Sequence, residues 1–110
     1  MRIINLTPHT VNIVDADGKE LRSFVSEGIA RAAQTSVVVG ELDGIKLVKT
    51  TFVAPVDLPE ASDGVYYIVS LATATAASSH GRTTNDLLLT ADRVRDAEGR
   101  IVGCRRFGKV

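Results

Sequence analysis

Three polar clusters in the sequence carry side chains able to hold a ligand. "NLTPH" crowds Asn5, Thr7 and His9 into five residues between the apolar runs "RIINL" and "VNIV". Thr7 precedes Pro8 and is pushed toward extended backbone, while Pro8 fixes its own φ, so the bend is stiff. Asn5 and Thr7 can bond the nearby backbone, or the bend can aim Asn5, Thr7 and His9 at a ligand. In "YYIVSLATATA" a helix opening at Ser70 leaves unpaired N–H groups and a partial positive charge, which suits an anion. No glycine-rich phosphate loop accompanies it, and a capped helix laying Ala72, Ala74 and Ala76 on a sheet reads equally well. The third cluster is "HGRTTND". Arg82 has the fork to grip a phosphate or carboxylate, and Asn85 and Asp86 can read ribose hydroxyls or a base edge. A solvated loop has the same composition.

"RIVGCRRF" adds Arg105 as a second phosphate grip and Cys104 as a thiol flanked by arginines, which would lower its pKa beside His9 or His80. Strand alternation favours a buried, inert Cys104 and puts Arg105 and Arg106 on opposite faces. Gly103 permits close backbone approach. No catalytic residue is assigned: there is no G-x-S-x-G, no HExxH, and nothing orders Ser70, His80 and Asp86 as a triad. Two histidines and one cysteine without recognised spacing give no metal site and no cofactor.

Thirteen basic and thirteen acidic side chains cancel, whereas proteins that hold long nucleic acid carry a basic excess. Extended DNA or RNA is therefore not an expected partner. The stretch from Arg82 to Lys109 is locally basic and can meet a small anion. One cysteine excludes an internal disulfide. No run approaches the roughly 20 apolar residues of a membrane span, nothing reads as a signal peptide, and a cytoplasmic protein is expected. Base stacking could use only Tyr66, Tyr67 and Phe107.

The elements that must position these groups are mostly strands. "RIINL", "VNIV" and "LRSFV" are short strands, the last two joined through Asp17-Gly18. Asp43-Gly44 is the strongest hairpin signal, between the β-branched stretch ending at Leu42 and "IKLVKTTFV". "VYYIV" reads as a central strand buried on both faces, Ser70 caps a short helix that Gly81 stops, and "LLL" is a short strand. A last hairpin turns at Glu98-Gly99. The expectation is one domain over residues 1–110, a mostly β (α+β) fold: an antiparallel sheet or small barrel of hairpins with one short helix. The long apolar hairpin "TSVVVGELDGIKLVKTTFV" predicts self-association as a homo-oligomer.

"INLTPHTVNIV", "YYIVS" and "DLLL…RVRDAEGRIVGCR" resemble a group of small proteins of phages, prophages and actinobacteria that open on an NLTPH strand-turn and close on DLL…VRDxxGRIxGCR. The resemblance spans nearly the whole chain. It departs in a longer "SSHGRTTNDLLL" loop and in Thr90, where the group has proline. Small phage proteins of this character often counter host defence, and one such class sequesters nucleotide immune signals. The resemblance thus implies a non-enzymatic sponge for a cyclic nucleotide or cyclic ADP-ribose type of ligand. Arg82 and Arg105 would hold phosphate, Asn5, Thr7, His9 and Ser70 would line the site, and Asn85 and Asp86 would fix ribose. A protein-interaction or inhibitor module (for instance a phage accessory subunit) is the alternative, and a small nucleotide hydrolase using His9 or Cys104 the third reading. The sponge requires the Pro8 bend and the stretch past Gly81 to meet at one hollow.

Overall fold

The computed structural model describes residues 1–110. Eight strands and one helix follow in the order β1 (Arg2–Asn5), β2 (Val11–Val14), β3 (Glu20–Phe24), β4 (Gln34–Leu42), β5 (Ile45–Phe52), β6 (Val65–Ile68), α1 (Leu71–Ser79), β7 (Leu87–Arg95) and β8 (Ile101–Gly108). Six strands form one sheet in the order β1-β6-β7-β8-β2-β3, and β4-β5 form a separate hairpin. The sheet curls until its edges meet: Asn5 bridges Ser26 just beyond β3, and the Glu27 N–H reaches the Asn5 carbonyl at 2.9 Å. All six strands send apolar side chains inward, where Val11, Phe24, Ile68 and Cys104 are buried with Ile3, Ile13, Leu88 and Phe107 around them. The mostly β class with one short helix is what the sequence predicts, and the body is a small barrel filled by side chains.

The connections depart from a plain series of hairpins. β1 pairs parallel with β6, β6 with β7, and β2 with β8. Neighbouring parallel strands need a crossover, and α1 supplies it from β6 to β7, making a βαβ unit. That placement explains the unbroken apolar run of "VYYIV". Ile68 faces the barrel interior, while Val65, Tyr67 and Val69 face an outer layer with Ala74 and Ala77 of α1. Ala74, Ala76 and Ala77 have no exposed surface, because small side chains let the helix lie close on the strands.

Both ends of α1 follow their sequence signals. Ser70 Oγ accepts the Thr73 N–H at 3.1 Å. At the other end Gly81, at φ 79°, donates to the Ser78 carbonyl and Arg82 N–H to the Ala77 carbonyl, the paired bonds of a Schellman stop.

Gly103 holds the β2–β8 seam. A Cβ there would lie 2.8 Å from Val14 Cγ1 and 2.9 Å from the Asn12 carbonyl oxygen. Since backbone cannot yield cheaply, Gly103→Ala is expected to cost about 1–3 kcal/mol, read as a lower melting temperature by circular dichroism. Asp92 within β7 and Asp96 at the β7–β8 turn also anchor an acid response. Asp92 is held below the ordinary aspartate range by its bond to the Arg106 guanidinium and by the charges of Arg106 and Arg105. Asp96 is held low by the backbone N–H groups of Arg100, Glu98 and Gly99 and by the Arg100 side chain. Both carboxylates are lower in the folded chain than unfolded, so their stabilisation is complete above the unfolded aspartate range and is lost as pH falls through the folded values. Melting temperature should be flat from neutral to mildly acidic pH and fall below about pH 4, with a shallower acid fall in Asp92→Asn/Asp96→Asn.

Candidate binding hollow at the carboxyl ends of β1 and β6

Asn5 ends β1 with no exposed surface and makes every bond an amide can. Its Nδ2 donates to the His9 carbonyl at 2.7 Å and the Phe24 carbonyl at 2.9 Å. Its Oδ1 accepts the Thr7 N–H at 2.9 Å and the Thr7 hydroxyl at 2.6 Å. Ser26 Oγ adds a bond to the Thr7 carbonyl at 2.6 Å. Asn5 is therefore the internal staple that ties β1, the Pro8 bend and the end of β3. Its polarity is turn chemistry and does not face a ligand.

The bend it fixes forms one wall of a hollow of about 500 Å³, a volume typical of small-ligand sites. Three other pieces complete it: the β6–α1 junction at Val69–Leu71, the middle of β7 at Leu89, Thr90 and Arg93, and the first half of β8 from Ile101 to Cys104. The hollow exists because β6 stops at Ile68 to enter α1 while β7 runs on to Arg95. It lies at the carboxyl ends of β1 and β6, whose chain continuations at Thr7 and Val69 line it. Thr7, His9 and Ser70 all reach it. Ser70 is engaged as the cap, with its Oγ also donating to Thr73 Oγ1 at 2.9 Å, so its end of the helix offers the Leu71 and Ala72 N–H groups, which have no intrahelical acceptor.

Arg93 is the residue that sequence reading missed. "LLL" suggests a short strand, but β7 is nine residues long. Asp92, at φ 54°, stands outside the β7–β8 ladder, which lets Thr90 and Arg93, three residues apart, both line the hollow. Asp92 pairs with Arg106 on the outside, leaving Arg93 without an ion-pair partner. No carboxylate lines the hollow. Its electrostatic character is set by Arg93, His9 and the positive end of α1, over an apolar floor of Val69, Leu89 and Val102.

The other predicted residues are not brought to this place. Arg82 binds both Asp86 oxygens at 2.9 Å and the Thr83 and Pro59 carbonyls at 2.7 Å. Its guanidinium is committed to the fold, and Asp86, 7% exposed, faces that guanidinium and no ligand. Asn85 is exposed in the same loop, which Lys109 fastens by donating to the Thr84, Asn85 and Leu87 carbonyls. This loop follows the C-terminal end of α1, whereas the hollow lies at its N-terminal end, about 13 Å away along nine residues of helix. Arg105 is exposed on β8 and reaches the Ala16 carbonyl at 3.3 Å. The bend and the stretch past Gly81 do not share a hollow. Nor do the rings: Tyr67 is buried in the outer layer, and Phe107 packs on Phe24 inside the barrel with centroids 6.1 Å apart.

Cys104 borders the hollow but is 2% exposed. Burial pushes its thiol up, against the Ala91 N–H and the Arg93 charge that would bring it down. That keeps it protonated at neutral pH, the opposite of an activated nucleophile. No three His, Cys, Asp or Glu side chains gather where a metal ion could be held, and no helix is long and apolar enough to cross a membrane. Searches for a matching family model, a similar curated protein or a similar solved structure find none, so the reading of the site rests on its own geometry.

Proposed function

We propose that the chain is a non-enzymatic binding protein whose hollow takes and sequesters a small anionic, nucleotide-like ligand of the cyclic nucleotide or cyclic ADP-ribose type. The observation that carries this is Arg93, a cation without a carboxylate partner, lining a hollow that Ser70 and Leu71 at the start of α1 also line. Arg93 and the Leu71 and Ala72 N–H groups hold phosphate. Thr7, His9 and Thr90 contact the sugar and base edge, while the apolar floor takes the flat faces in place of a stacking ring. A protonated, buried Cys104 and the lack of a carboxylate beside His9 favour binding over turnover.

The test is a thermal-shift panel of cyclic dinucleotides, cyclic mononucleotides and cyclic ADP-ribose isomers. A ligand at about 100 times its Kd adds about 2.7 kcal/mol, a rise of several degrees for a chain of this size. Arg93→Ala should weaken that ligand by about 10- to 100-fold, the worth of one charge-assisted hydrogen bond. A flat panel, or a response that Arg93→Ala leaves intact, contradicts the proposal. A second reading, a protein-interaction module, is favoured by one specific observation: β4 and β5 stand away from the barrel with their aliphatic side chains exposed.

A further inference from the structure

A second hollow, of about 320 Å³, adjoins the first along Thr7 and Ser70, which line both. Its other walls are Leu6 and Pro8 of the bend, residues 29–32, and Thr73 of α1. No carboxylate lines it, and its one charged side chain is Arg31. Arg31 is exposed and joins no ion pair.

The stretch that carries Arg31 lies between β3 and β4 but is not a free loop. The Ala30 N–H donates to the Leu6 carbonyl at 3.0 Å, and the Ala30 carbonyl accepts Thr73 Oγ1 at 3.2 Å. Arg31 and Val56 exchange backbone bonds of 3.0 and 2.8 Å. Ala30 itself is buried with Leu6, Ala74 and Ala77 in the outer layer. Arg31 therefore rises from a backbone that is already ordered, and binding costs only the freedom of its side chain. None of these bonds uses the guanidinium, so its charge is free for a ligand, in contrast to Arg82.

Two cations without carboxylate partners, Arg93 and Arg31, thus line two hollows that meet at Thr7 and Ser70. A single phosphate places its charge on one side of that boundary. So does a pyrophosphate, whose two phosphorus atoms share an oxygen. A ring that holds two phosphodiesters apart with two nucleosides puts one charge on each side. Resting on the reading of the first hollow given above, we propose that the ligand is a cyclic dinucleotide seated across Thr7 and Ser70, one phosphodiester on Arg93 and the other on Arg31. Leu6, Pro8 and Ile29 then take the flat face of the second base, as the apolar floor does for the first. Apolar walls with a few placed polar groups are the usual make-up of such sites. Arg31 becomes the residue that separates dinucleotides from mononucleotides.

Isothermal titration of the full chain with cyclic di-AMP, cyclic di-GMP, cyclic AMP and cyclic GMP tests this. The preferred dinucleotide binds at least about 10-fold tighter than the mononucleotide of the same base. Arg31→Ala weakens that dinucleotide by about 10- to 100-fold, the worth of a charge-assisted hydrogen bond, and leaves the mononucleotide within about twofold. Arg93→Ala weakens both. Lys46→Ala on the β4–β5 arm removes the same charge and changes neither Kd by more than about twofold, because salt screens distant exposed charges. Circular dichroism of Arg31→Ala should match the wild type, since its side chain holds nothing in the fold. A dinucleotide that binds no tighter than its mononucleotide, or that Arg31→Ala leaves intact while Arg93→Ala weakens it, overturns the second subsite and leaves the first hollow standing. Silence from all four ligands overturns both.

Discussion

Asn5→Ala lowers the melting temperature by about 12–24 °C, the largest loss expected of any single substitution outside the apolar core. The amide is fully buried and makes four hydrogen bonds. Alanine leaves the Phe24 carbonyl and the Thr7 N–H without partners and takes one of two donors from the His9 carbonyl, which the Thr7 hydroxyl still reaches at 3.0 Å. Each orphaned buried group costs about 1–3 kcal/mol, and partial access to water brings the total to about 3 kcal/mol. For a chain of this length each kcal/mol is worth about 4–8 °C. Asn5→Asp should lose as much, since it keeps the shape but turns a carboxylate oxygen toward two carbonyl oxygens. Thr7→Val removes one hydroxyl bond and should cost about 1 kcal/mol. Thermal unfolding followed by circular dichroism decides it: a fall under about 3 °C for Asn5→Ala would mean that the staple does not hold the bend.

Arg82→Ala is expected to be nearly as harmful to folding and harmless to ligand binding. The bidentate pair with Asp86 has 18% and 10% of its side-chain surfaces exposed, and removing one partner strands the other charge. Losses of about 3–5 kcal/mol accompany a broken buried pair; the residual exposure here places the value near 3. Arg82→Met/Asp86→Leu should recover most of that loss, because no charge is left unpaired. Isothermal titration with whichever nucleotide binds the wild type should return an unchanged Kd for folded Arg82→Ala. A weakened Kd with an unchanged melting temperature would put Arg82 back in the site.

The local signals in the sequence were legible and the long-range ones were not. Asp43-Gly44, Ser70 and Gly81 mark a hairpin turn, a cap and a stop because each acts on its own few residues. "VYYIV" is readable as buried on both faces for the same reason. The route from β1 to β6, with more than fifty residues between them, leaves no local trace, and neither does the passage of β8 between β7 and β2. The site inherits that asymmetry. The stiff bend is visible in "NLTPH", but that Asn5 turns inward while His9 faces a hollow depends on β3 arriving beside it. "HGRTTND" is polar for its own cohesion, with Arg82 answering Asp86 four residues on. Arg93 hides inside "TADRVR", where nothing shows that Asp92 leaves the ladder at positive φ.

The most direct measurement is an amide map of the isotope-labelled chain titrated with the nucleotide that gives the largest thermal shift. Binding as described moves the Leu71, Ala72, Arg93 and Gly103 resonances together, saturably, and leaves Thr83 to Asp86 still. Shifts gathered around Arg82, or none at any concentration, would mean that the opening beside the Pro8 bend holds no anion.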